Sequence, residues 1–220
     1  WTLRNSEGMV VGRMPQASLY VDQACWPLAG PTGLDDYEPL EEYMGQVTWG
    51  AIPAAGYDTS TEDLAAAARR LYETTDYAVS LSIGCNLFEW AQYLFGMENV
   101  YLYLGAEKKK FARFLDRLTE IHIENLSRLL PAVRGAVQVV VVGDDLGMQT
   151  GPQMSRKTYR EIFLPRHKRI YQYAKEQSGA HLFMHCCGGV YPLIPDLIEA
   201  GVEILNPVQT SARHMEPELL

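Results

Sequence analysis

The run Val137-Gln138-Val139-Val140-Val141-Val142, closed by Gly143-Asp144-Asp145-Leu146-Gly147, constrains this chain more than any other feature. β-Branched side chains are stiff at χ1 and fit a pleated strand better than a helix. A nearly unbroken apolar run without polar alternation is the pattern of a strand covered on both faces in a parallel sheet. Parallel neighbours need crossover connections, so helices are expected on either side.

The flanking sequence has that period. Ser60-Thr61-Glu62-Asp63 is an N-cap with acids in the first turn, opening an alanine-rich helix to about Thr75, and a strand follows over residues 77–83. Helices are expected over 87–95 and 107–130, the second with Phe111, Phe114, Leu115, Leu118, Ile121 and Leu126 on one face. After the central run, Ser155 caps a helix to about Gln177 and Gly179 ends it. A strand over 180–184 leads into His185-Cys186-Cys187-Gly188-Gly189. A helix over 191–200, a stop at Gly201 and a strand over 202–205 ending in Asn206-Pro207 complete the series. The first sixty residues hold the turn chemistry (Gly30-Pro31-Thr32-Gly33, Ile52-Pro53, Gly56-Tyr57-Asp58) and several acids, and read as an irregular excursion with short strands.

Alternating strands and helices mean right-handed βαβ units, either in an open doubly wound sheet or in a (β/α)8 barrel. The glycine-rich phosphate loop of a dinucleotide fold is missing after the first strand. Asp144 and Asp145, His185 and Cys187, and Asn206 and Gln209 all follow strand ends, the face on which barrel enzymes assemble their sites. Four clear strands are too few to close a barrel, so the expected architecture is an incomplete TIM-type barrel.

Composition narrows the function. At roughly 150 residues per domain, 220 residues make one domain or part of a larger one. A 47% hydrophobic content supplies a core, and a net charge of −8 makes nucleic acid and anionic membranes poor partners. Four cysteines, two of them adjacent, are no disulfide framework and fit a reducing cytoplasm. No leader and no bilayer-spanning run of roughly 20 apolar residues is seen. The chain starts at Trp1 without a methionine and stops at a helix start near Met215, so residues 1–220 are expected to be a single barrel domain lacking an N-terminal part and its last strands.

His185-Cys186-Cys187 is the most informative cluster. Alternate residues of an extended segment face the same way, so His185 and Cys187 can meet while Cys186 turns away. Imidazole and thiolate are a zinc-type pair, and a catalytic zinc has three protein ligands with one position open. The two following glycines would let the chain turn and release backbone N–H groups. The plain alternative is a satisfied histidine beside two packed thiols. Asp144 and Asp145 can orient substrate, exchange protons or bind a cation, or one can simply form the turn. Asn206 and Gln209 follow the same logic. His122, His167, His181 and His214 are assigned structural or solvated roles, Cys25 and Cys85 packing roles, with a ligand role left open for Cys85 after its strand, and Trp26, Trp49 and Trp90 either line a pocket or, as is commoner for single large apolar residues, sit in the core.

Several stretches resemble the uroporphyrinogen decarboxylase superfamily: residues 139–152, which include Gln149; Tyr159 with Pro165-Arg166-His167-Lys168; His185-Cys186-Cys187-Gly188-Gly189; and Ile194-Pro195-Asp196-Leu197-Ile198 with Asn206-Pro207-Val208-Gln209. The likeness runs from about Asp76 to Leu220. It implies a (β/α)8 barrel. The corrinoid-dependent methyltransferase branch, which includes methylcobamide:coenzyme M methyltransferases, binds zinc through His-x-Cys and a later cysteine. His185 and Cys187 occupy the His-x-Cys positions, and the later cysteine would fall beyond Leu220. True decarboxylases use no metal and carry an arginine-rich N-terminal motif that is not seen here, and Asp145 stands where they have a serine.

What the resemblance implies is a cytoplasmic zinc-dependent methyltransferase that moves a methyl group between a corrinoid, carried on a corrinoid-protein partner, and a thiol or methylated small molecule. Asp144 and Asp145 are then the expected catalytic residues, Gln149, Asn206 and Gln209 contact substrate, and His185 and Cys187 hold Zn2+. The alternatives are porphyrinogen decarboxylation and a non-catalytic module that binds a corrinoid protein.

Overall fold

A computed structural model of the chain describes residues 1–30, 33–47, 50–52 and 60–220. Pro31, Thr32, Trp49, Pro53 and Gly56-Tyr57-Asp58, singled out above, lie outside the described residues. The N-terminal region holds an antiparallel sheet of β1 (Thr2–Arg4), β2 (Val10–Arg13) and β3 (Asp22–Gln23). It also contains a helix that the acid-rich composition conceals, α1 (Glu38–Met44). Glu38 and Glu41 sit in its first turn, where they complement the helix dipole, and Leu40 and Met44 are its buried stripe.

The regular part follows the expected alternation with small boundary shifts. Ser60 caps α2 (Thr61–Thr74), its Oγ accepting from the Asp63 N–H at 3.1 Å. Then come β4 (Ser80–Gly84), α3 (Phe88–Phe95) and α4 (Met97–Ala106). The last is a helix the periodicity does not separate out, and Gly96 at φ +87° makes the break before it. α5 (Lys108–Val133) buries Phe111, Phe114, Leu115, Leu118, Ile121 and Leu126, the predicted face. Each such side chain stabilises by roughly 1.5–3 kcal/mol when buried, so this face alone holds the helix in the core.

β5 (Val139–Gly143) is followed by a small hairpin of β6 (Gly147–Met148) and β7 (Gly151–Pro152). Ser155 caps α6 (Arg156–Thr158), which passes through a π-helical turn into α7 (Leu164–Ser178), and Gly179 at φ +71° closes it. β8 (His181–His185), α8 (Ile194–Ala200) and β9 (Ile204–Asn206) complete the order.

The four long-range strands form one parallel sheet in the order β4-β5-β8-β9. Val140 pairs with Leu81 and Leu182, and Gly143, His185 and Asn206 share a row at the C-terminal edge. Leu81, Ile83, Val140, Val142, Leu182 and Met184 are buried under the helices. On the other face Ser80 and Ser82 are exposed, and Val139, Val141 and Phe183 are only half-buried. The central strand is therefore fully covered on one face, not on two. A valine run meets both cases, because it carries no polar residue to mark the lighter face.

The fold is mixed α/β around a parallel sheet, and no closed barrel occurs among the described residues. No helix among them is long and apolar enough to cross a membrane, and all four cysteines are free thiols. Trp26 is 41% exposed, so it is not a core residue. Trp90 is half-buried and packs edge-on against Tyr43 and Tyr93.

Candidate metal centre

Strand alternation sets the site. Met184 points into the core and His185 to the open face, and beyond the strand end Cys186 is buried while Cys187 is partly exposed. Cys187 Sγ lies 3.3 Å from His185 Nε2. His185 Nδ1 lies 3.1 Å from Asn206 Oδ1 on the neighbouring strand, and an amide oxygen only accepts, so the ring proton sits on Nδ1 and leaves Nε2 a free lone pair. The Asp145 carboxylate completes a triad with His185 and Cys187, one donor atom from each lying within 4.8 Å of the others. A nitrogen, a sulfur and an oxygen donor of this spacing fit a divalent metal such as zinc, and the second partner on the imidazole is the usual orienting contact of a metal-bound histidine.

Cys186 has a different use. Its thiol accepts from the Leu146 N–H at 3.4 Å, and burial pushes its pKa up to about 12. Burial, and after it the Asp145 carboxylate, also raise the Cys187 thiol.

The two aspartates are divided in the same way. Asp144 is fully buried, and its carboxylate accepts from the N–H groups of Leu87 (3.1 Å), Phe88 (2.9 Å) and Glu89 (2.9 Å). α3 has no capping side chain of its own, so Asp144 satisfies its free N–H groups and faces its positive dipole end from 55 to 57 residues away. His167 Nε2 meets the same carboxylate at 3.0 Å, and its Nδ1 meets the Tyr159 hydroxyl at 3.1 Å. Asp145 is half-buried and faces the triad. Its Oδ1 accepts from the Cys187 N–H at 2.7 Å.

Two of the three expected substrate contacts, Asn206 and Gln209, have side chains hydrogen-bonded within the protein. Asn206 orients His185, and its carbonyl accepts from the Cys186 N–H at 2.8 Å. Gln209 Oε1 accepts from the Gly188 N–H at 2.8 Å, and Gln149 is exposed on the hairpin rim. The two glycines release no N–H groups. Those of Cys187, Gly188 and Gly189 go to Asp145, Gln209 and the Met148 carbonyl. Their role is close approach: a Cβ on Gly147 would stand 2.5 Å from the Cys187 carbonyl oxygen, and Gly188 sits at φ +86° against the Gly147 backbone.

Glu89 and Asn86 escaped the sequence reading. Glu89 Oε2 accepts from the Asp145 N–H at 3.0 Å and from Asn86 Nδ2. Burial, followed by the nearby Asp144 charge, raises its pKa. The signal available was positional, since both residues follow a strand on the face that gathers the other candidates. Of the two roles open to them, structural or solvated, burial leaves His122 and His167 the structural one.

The sequence profile of the family Uroporphyrinogen decarboxylase (URO-D) matches residues 57–211. A curated methylated-thiol–coenzyme M methyltransferase of Methanosarcina mazei is 28% identical over 119 residues, 54% of this chain and 30% of that protein. The solved structure of a methyltransferase from Methanosarcina mazei is alike in fold over 90% of this chain and 50% of its own, with a TM-score of 0.54 at 18% identity. The chain thus spans half or less of the relatives it matches.

Proposed function

The chain belongs to the uroporphyrinogen decarboxylase (URO-D) family, and on that premise we propose that it is a zinc-dependent methyltransferase exchanging a methyl group between a corrinoid and a thiol or methylated small molecule. The observation that carries this reading is the 3.3 Å approach of Cys187 Sγ to His185 Nε2 with the Asp145 carboxylate beside them. In this reading His185, Cys187 and Asp145 are the three protein ligands of the ion, and its fourth position is left open for the substrate thiol. Asp144 is a positioning residue, and so are Asn206 and Gln209. Gln149 on the exposed rim contacts substrate. The corrinoid is carried by a partner protein that docks over this edge, and the sheet is part of a (β/α)8 barrel.

A bound zinc would supply Lewis acidity and lower the pKa of a substrate thiol. The chain's own contribution is orientation: Asn206 keeps the ring proton of His185 on Nδ1, and the Cys187 N–H holds the Asp145 carboxylate in place. Glu89, Asp144 and Asp145 gather negative charge here, which favours a cation and disfavours the polycarboxylate substrate of a decarboxylase. The names of both methyltransferase relatives support the reaction class.

The test is metal analysis of the full-length protein together with methyl transfer from methylcobalamin to a thiol, followed by cobalamin absorbance. About one zinc per chain is expected, lost with activity in His185→Ala and Cys187→Ala. Full activity in metal-free protein overturns the reading. Stoichiometric zinc with no transfer to any thiol or from any methylated donor favours the binding module.

A further inference from the structure

Asp145 lies between β5 and β6 in no regular element, yet both its backbone and its side chain are committed. Its N–H donates to Glu89 Oε2 at 3.0 Å and its Oδ1 accepts from the Cys187 N–H at 2.7 Å. Glu89 also accepts from Asn86 Nδ2 and donates its own N–H to Asp144 Oδ1 at 2.9 Å. The contacts close on themselves: Asp144 caps the start of α3, and α3 reaches back through Glu89 to hold the residue that follows Asp144. Gly143 makes room for the arrangement, since a Cβ there would stand 2.9 Å from Asn86 Nδ2.

A third carboxylate beside Asp144 and Asp145 is electrostatically unfavourable, and the cap of α3 does not need it, because Asp144 already accepts three of its N–H groups. What Glu89 adds is a fixed acceptor for the Asp145 amide. Building on the metal-dependent reading above, we infer that Glu89 is a positioning residue of the centre: by clasping the Asp145 N–H it sets where the Asp145 carboxylate meets Cys187 and His185. Partners of this outer kind typically govern metal affinity by 10- to 100-fold.

The experiment compares the full-length wild type with Glu89→Ala, Glu89→Asp and Glu89→Gln. Three quantities are read: zinc affinity by chelator competition, the visible absorption of the cobalt(II)-substituted protein, and backbone amide exchange over residues 143–148 and 186–189 in the metal-free protein. Glutamine keeps an oxygen for the Asp145 N–H, and its amide can pair with a reversed Asn86, so the clasp survives without the charge. Aspartate keeps the charge and is one methylene too short.

Expected are about 10- to 100-fold weaker zinc binding, an altered cobalt spectrum and faster exchange over both stretches in Glu89→Ala and Glu89→Asp, with Glu89→Gln within a few-fold of wild type. Wild-type affinity and exchange in Glu89→Asp overturn the inference, which protects the test against an unfolded alanine variant. Glu89→Gln as weak as Glu89→Ala also overturns it, by assigning the effect to charge. If the wild type itself binds no zinc, the metal reading fails, and the exchange data still decide whether Glu89 holds Asp145.

Discussion

Asp144 and Asp145 are neighbours in the chain and face opposite surroundings: the Asp144 carboxylate is sealed under the start of α3 with His167, and the Asp145 carboxylate turns outward to the Cys187 N–H. Asp144→Ala leaves three backbone N–H groups and an imidazole without their acceptor. Loss of a buried charged partner of this kind costs roughly 3–5 kcal/mol. Asp145→Ala, at a half-buried position, is expected to change stability by no more than about 1–2 kcal/mol and to release the metal. Urea midpoints and zinc content measured on both variants check the division. Equal destabilisation by the two would contradict it.

Cys186 and Cys187 divide in the same way. Cys187→Ser is expected to lose zinc, while Cys186→Ser keeps it and loses about 1–2 kcal/mol, because a hydroxyl replaces a thiol in a buried apolar setting. In metal-free protein at pH 8, iodoacetamide should label Cys187 well before Cys186 or Cys85, both buried with strongly raised thiol pKa values. Mass spectrometry of the labelled peptides reads the order directly.

The Asn206 side chain reaches the centre through His185 Nδ1. Asn206→Ala should weaken zinc binding by about 10- to 100-fold with little change in melting temperature, and Asn206→Asp, which keeps the acceptor, should hold most of the affinity. An alanine variant with wild-type affinity would remove the orienting role assigned here.

His122 gives stability a pH dependence with a defined sign. Burial pushes its imidazole down to about 4 from an ordinary 6.5, with the Asn86 carbonyl and the Asp144 charge opposing the shift and His167 adding to it. A histidine with a depressed pKa stabilises the fold fully above the unfolded value. That contribution is lost as pH falls from about 6.5 to about 4, where only the unfolded chain takes up the proton. The complete loss amounts to about 3 kcal/mol. Urea midpoints of the wild type should therefore drop between pH 7 and 4.5 more steeply than those of His122→Gln.

Gly147 and Gly188 allow the β6–β7 hairpin to lie on the backbone of the cysteine loop. Gly147→Ala places a methyl group against the Cys187 carbonyl and should cost roughly 1–3 kcal/mol as the loop gives way, with metal affinity falling alongside. A variant that melts and binds zinc like the wild type would show that the loop tolerates displacement.

Much of this molecule could be read from local patterns. The caps at Ser60 and Ser155, the stops at Gly179 and Gly201 and the buried face of α5 all occur where short-range rules place them, because each depends on residues within a turn or two. α4 has no separate signature in the sequence, because its hydrophobic residues run on from α3 and only Gly96, at positive φ, divides them. α1 is not legible because seven residues among acids and turns carry too few apolar positions to show a period.

The centre shows the same limit more sharply. Strand alternation is a property of the backbone, so sequence alone determined that His185 and Cys187 point together and Cys186 apart. The division of labour between Asp144 and Asp145 was decided only by tertiary structure. It depends on α3, whose N–H groups arrive from more than fifty residues away to claim one carboxylate, and on a loop after β8 that meets the other. Spacing along the chain records neither encounter, because a hydrogen bond depends on where two groups meet in space and not on how many residues separate them.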